Sequence, residues 1–134
     1  MKHSVRVILV TGAALLGASL PARARPGTPV DDPVAGKAKY SIAQVMKALH
    51  KGEDSIGKRV GRGQGTKEDF AKLVEYYESL PLNEPPEGGS ASWKKKSTAL
   101  LVSAKALNEG REGALAAYKQ AVDCKACHEV HRPE

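Results

Sequence analysis

From Ile42 to Val122 apolar residues recur every three or four positions, and nowhere do they alternate. Ile42, Val45, Met46 and Leu49 stand at i, i+3, i+4 and i+7, which is one face of a helix. Ser41 and Gln44 spell a capping box ahead of them, and Lys51-Gly52 is a stop signal. A second stripe, Phe70, Leu73, Val74, Tyr77 and Leu80, follows Thr66 and Asp69 and should end at Pro81. The segment 81–90 reads as a loop. A third helix is expected from Ser90 or Ser92, burying Trp93, Leu100, Leu101, Ala104 and Leu107 and stopping at Asn108 to Gly110. A fourth starts near Arg111 or Glu112 and carries Leu115, Ala116, Tyr118, Ala121 and Val122 straight into Cys124. Between the first two stripes, Asp54 or Ser55 could cap another turn or two. Four glycines from Gly57 to Gly65 argue against a long helix there. No run has the alternation of a strand. The expected fold is all-α, a four-helix bundle joined by short connections.

The 134 residues suit one domain. The chain opens as an export signal: Lys2 and Arg6, then an apolar run, then Ala22-Arg23-Ala24 as an A-x-A-like cleavage site. That run is too short to span a bilayer comfortably, and nothing later is apolar enough to do so. The expected division is residues 1–24 as signal peptide, 25–40 as a flexible Pro- and Gly-rich leader, and 41–134 as the bundle. Losing Lys2, Arg6 and Arg23, and no acid, lowers the net charge from +6 to +3. No basic patch is interleaved with aromatics, so nucleic-acid binding has no support. Lys94 to Lys96 is the one basic run; it suits a solvated helix face or, alternatively, a docking patch for an acidic partner, sensitive to salt. One Trp, one Phe and four Tyr leave few large apolar side chains. A bound macrocycle could supply the missing core volume.

Both cysteines and two of the four histidines fall in "DCKACHEVHRPE", Asp123 to Glu134. "CKACH" is C-x-x-C-H, the pattern of covalent haem attachment. Each thiol adds across one vinyl group of the porphyrin, and the adjacent histidine ligates the iron. On a helix, Cys124, Cys127 and His128 fall at i, i+3 and i+4 and address one face of a macrocycle. Zinc is the first rival, with Cys124, Cys127, His128 and His131 as four candidate ligands in eight residues. Structural zinc takes ligand pairs from separated segments, and a second half-site is missing. A redox dithiol wants a βαβ context. A disulfide between Cys124 and Cys127 would close a tiny loop and stabilise little. Haem attachment takes place outside the cytoplasm, which agrees with an export signal and a periplasmic or secreted protein.

With that motif on the last of four helices, the chain resembles the class II c-type cytochromes, the cytochrome c-prime proteins and their low-spin relatives. Arg132 stands four residues after His128, where the family often has an arginine, and His131 replaces an aromatic. The resemblance implies one covalently attached haem c, Cys124 and Cys127 as its thioethers, and His128 as proximal iron ligand. It places Arg132 near the proximal haem face or a propionate. It also implies a redox partner protein and the option of a homodimer through the first two helices. Low-spin members ligate iron with a methionine of the first helix; high-spin members leave the site open to small gases. Met46 is the candidate distal ligand, although a Met on an apolar stripe is also ordinary core filling. His50, four residues on and on the same side, is the second candidate, though a histidine at a helix end also caps carbonyls. An open site is the third. His131 is expected to be exposed and unligated, and Trp93, Tyr77 and Tyr118 to pack in the core or against haem. The resulting expectation is an exported electron-transfer protein, not an enzyme. Its rivals are a nitric oxide- or carbon monoxide-binding haem protein and a zinc- or disulfide-stabilised helical interaction module.

Overall fold

The capping box expected at Ser41 and Gln44 is built, and Thr66 with Asp69 makes a second. In the computed structural model, which describes residues 36–133, the Ser41 hydroxyl accepts from the Gln44 N–H while the Gln44 side chain accepts from the Ser41 N–H. This opens α1 (Ile42–His50). Thr66 and Asp69 make the same reciprocal pair at the start of α3 (Lys67–Tyr77). Each box satisfies two backbone donors that a helix start would otherwise leave unpaired. The described residues are all-α, with no strand. They belong to a unit spanning Asp32–Glu134. The expected signal peptide and residues 25–35 of the expected leader lie outside the described residues. The leader's last two residues are tied down: Tyr40 stacks on Tyr76 with ring centroids 4.2 Å apart, and the Lys39 ammonium lies 2.7 Å from Glu75.

The glycine-rich stretch holds a short helix, α2 (Ile56–Gly61), after Ser55. Arg59 secures it by a 2.6 Å ion pair to Asp69 and by donating to the Asp54 carbonyl. The helix α3 ends at Tyr77, before the expected Pro81. Leu80–Leu82 then form a 3-10 turn that includes the proline, since a proline disfavours α conformation in the residue before it. The longest helix, α4 (Ser90–Asn108), begins where the first serine signal put it. Its buried Ser97 and Ser103 donate to the carbonyls of Trp93 and Leu100, at 2.8 Å each, so neither hydroxyl is orphaned.

The fourth expected helix divides in two. α5 (Ala114–Ala121) stops at Val122, and α6 (Cys124–His131) begins afresh with Asp123 as its N-cap, accepting from the Ala126 N–H at 2.9 Å. The CKACH motif therefore opens a helix of its own. It is not the last turns of a longer buried one. α4 lies between α3 and α5, while α1 and α2 pack on α3. The buried core runs from Val45 and Leu49 through Val60, Leu73 and Tyr77 to Trp93, Leu101, Ala104 and Tyr118. The Trp93 indole N–H donates to the Leu80 carbonyl at 2.8 Å. Among the described residues no helix is long and apolar enough to cross a membrane.

Candidate functional site

The break at Val122–Asp123 turns α6 away from the line of α5 and leaves a cavity of about 440 Å³. Cys124, Cys127 and His128 line it from α6, Met46 and His50 from α1, and Lys95, Lys96, Ala99 and Leu100 from α4. Five of the six candidate ligand residues, all but His131, thus meet at one cavity, although nearly eighty residues separate Met46 from Cys124. Cys124 is exposed and Cys127 half-buried, and both are free thiols. Burial pushes the Cys127 thiol above its ordinary range, against the pull of the Lys96 charge.

His131 departs from expectation. It is the buried residue of α6, 3 % exposed. Its Nδ1 lies 3.0 Å from the Glu87 carbonyl, to which it donates, and its Nε2 lies 3.2 Å from the Ser92 hydroxyl. Its ring meets Trp93 edge to face at 5.4 Å. Gly88, at φ +77°, lies flush against it; a Cβ there would come within 2.6 Å of Nδ1. With both nitrogens engaged on the loop before α4 and on α4 itself, His131 anchors α6 and cannot join Cys124 and Cys127 around a metal ion. Among the described residues no three His, Cys, Asp or Glu side chains gather as a metal-binding group.

His50 is half-buried, and it does not cap its helix. Its Nε2 is hydrogen-bonded to the Tyr77 hydroxyl at 2.9 Å, and that hydroxyl lies 3.3 Å from the hydroxyl of Tyr118. Burial lowers the His50 pKa below its ordinary 6.5, and the neighbouring His128 lowers it further. Burial raises both phenols, with the Cys124 thiol adding to the effect in each case. Tyr77 and Tyr118 are core residues, as expected, whose polar ends lie beside the motif.

The sequence pattern gave no hint of the Tyr118–Tyr77–His50 chain or of the His131 anchor. Their partners lie 27 to 44 residues apart, beyond any local rule. A signal for the helix break was present: Asp123 is an N-cap residue type placed directly before the motif. Lys95 and Lys96 belong to the basic run that suited a solvated face, yet they line the cavity.

The chain matches no protein-family model, no curated protein and no solved structure.

Proposed function

We propose that the chain is an exported, single-haem c-type cytochrome built as a four-helix bundle, and that it passes electrons between partner proteins. In this reading the bundle is formed by α1, α3, α4 and the broken last helix, α5 with α6, and α2 is a short addition. The observation that carries the proposal is the cavity: an apolar space flanked by the CKACH helix on one side and a thioether, Met46, on another. Its size lies within the roughly 300–1,000 Å³ usual for small-molecule sites. Its walls include Met46, Ala99, Leu100, Ala121, Val122 and Ala126, which suit a largely hydrophobic macrocycle. The donor set suits haem c, with two unpaired thiols at i and i+3 and an imidazole at i+4.

In this reading Cys124 and Cys127 would hold the group covalently and His128 would ligate its iron. Bound haem supplies an iron that cycles between ferric and ferrous states. The rest falls to the protein. Asp123 starts α6 so that the two thiols and His128 emerge within five residues. His131 fixes that helix to α4. Met46 offers a sulfur that no described hydrogen bond uses, and a thioether ligand raises the reduction potential.

The test is expression together with a haem-maturation system. A red protein whose colour survives acid-acetone extraction, with a mass increased by one haem, supports the proposal. The apo mass alone refutes it. In the reduced holoprotein, a large spectral change with carbon monoxide would identify an open-site gas binder instead of an electron carrier.

A further inference from the structure

His50 lines the same cavity as Met46, and an imidazole is a strong iron ligand. Its Nε2, however, is occupied by the protein, and its Nδ1 edge lies against the backbone of α2. Nε2 is bonded to the Tyr77 hydroxyl at 2.9 Å, so whichever of the two donates, that nitrogen has no free lone pair for a metal. Nδ1 faces Gly57 at the start of α2, so closely that a Cβ on Gly57 would lie 2.6 Å from it. The ring also lies nearly parallel to that of Tyr77, at 16° and 5.9 Å between centroids. Three contacts therefore fix one orientation of the imidazole.

We infer that Tyr77 is a positioning residue that holds His50 away from the sixth coordination site, leaving Met46 as the cavity-lining donor free to take it. The inference rests on the haem reading above. Tyr77 is suited to the task because it has nowhere else to turn. It and Tyr118 are both 0 % exposed, so neither hydroxyl reaches water. Releasing His50 would leave the Tyr77 hydroxyl with only Tyr118, at a long 3.3 Å. Buried hydroxyls without partners are costly, so the pair resists separation. Choice of ligand, and with it the reduction potential, is then set by a residue that never touches the iron.

Two substitutions test this in the holoprotein. Tyr77→Phe removes one oxygen and keeps the ring. It should free His50 to ligate, shift the reduction potential downward and convert the near-infrared magnetic circular dichroism from a histidine–thioether to a bis-histidine signature. Adding His50→Ala to it should restore the original signature. His50→Ala alone, with Tyr77 intact, should keep the histidine–thioether signature. A Tyr77→Phe holoprotein spectrally identical to wild type overturns the inference. So does a His50→Ala protein that loses its low-spin bands, an outcome that does not depend on Tyr77→Phe folding. If wild type takes up no haem, the haem reading falls first and this inference with it. If it does take up haem and only the variants fail to respond, the inference alone falls.

Discussion

Removing His131 should undock α6 while leaving the rest of the fold in place. α6 has eight residues, far below the roughly 12–15 needed for a helix to hold itself together in water. Its persistence therefore depends on docking, to which His131, its one buried side chain, contributes alongside the half-buried Cys127. His131→Ala deletes two hydrogen bonds, to the Glu87 carbonyl and to the Ser92 hydroxyl. These are worth about 0.5–1.5 kcal/mol each. It also deletes the edge-to-face contact with Trp93, worth about 0.5–1.5 kcal/mol. The total is about 1.5–4.5 kcal/mol, with no added penalty for stranded partners, because Glu87 is exposed and Ser92 only half-buried and both are rehydrated. That corresponds to a roughly 10- to 1,600-fold rise in the open population of α6. Hydrogen–deuterium exchange resolved to peptides reads it directly: amides of residues 126–132 should speed up by that factor, and amides of α3 should not. Unchanged protection in α6 would refute the anchoring argument. Equal loss in α3 would also refute it, by showing that His131 supports the whole core instead of one helix.

Gly88→Ala should reproduce the exchange pattern of His131→Ala, because its Cβ would meet both the His131 ring and the Val130 carbonyl at a backbone angle that disfavours any side chain; a uniform loss of protection would argue against that origin. Ser55→Ala should be neutral or raise stability by up to about 1 kcal/mol, since its hydroxyl is buried with no partner; a lower denaturant midpoint would reveal a hydrogen bond in solution. Asp69 gives a pH prediction. Burial pushes its carboxyl up, but Arg59 and the Thr66 N–H pull it further down, to a net value below the ordinary 3.8. A depressed folded value means the stabilisation is complete above about 3.8 and drains away as pH falls through the lower folded value. Asp69→Asn should flatten that acid limb of the melting temperature, and parallel curves for the two proteins would refute it.

Much of the fold was legible because its signals are local. Ser41 with Gln44, and Thr66 with Asp69, specify helix starts within four residues, and the buried stripes follow the helical period. The five site residues were legible for two different reasons. Cys124, Cys127 and His128 form a contiguous motif, while Met46 and His50 share a stripe that a bundle would turn inward. What stayed hidden is tertiary. His131 was expected in solvent because histidine near a chain end is usually polar surface. It is buried because Ser92, Trp93 and the Glu87 carbonyl together offer one edge-on aromatic contact and two hydrogen-bonding groups matched to a neutral imidazole.

The composition suggested a core short of volume that a macrocycle would complete, and the arrangement of side chains places that deficit differently. Small residues on α4, among them Ser97, Ser103 and Ala104, are fully covered. Small side chains at a helix contact let neighbouring helices approach closely, so little volume is left to fill. The core from Val45 to Tyr118 closes on itself with Tyr77, Trp93 and Tyr118 as its largest members. The cavity beside α6 lies at one end of that core. An occupant there would contact α6, the end of α1 and one face of α4, without forming the centre of the molecule. Losing His128 should therefore act locally, on the motif helix and, in the haem reading, on retention of the group, while α1 to α5 keep their cooperative unfolding.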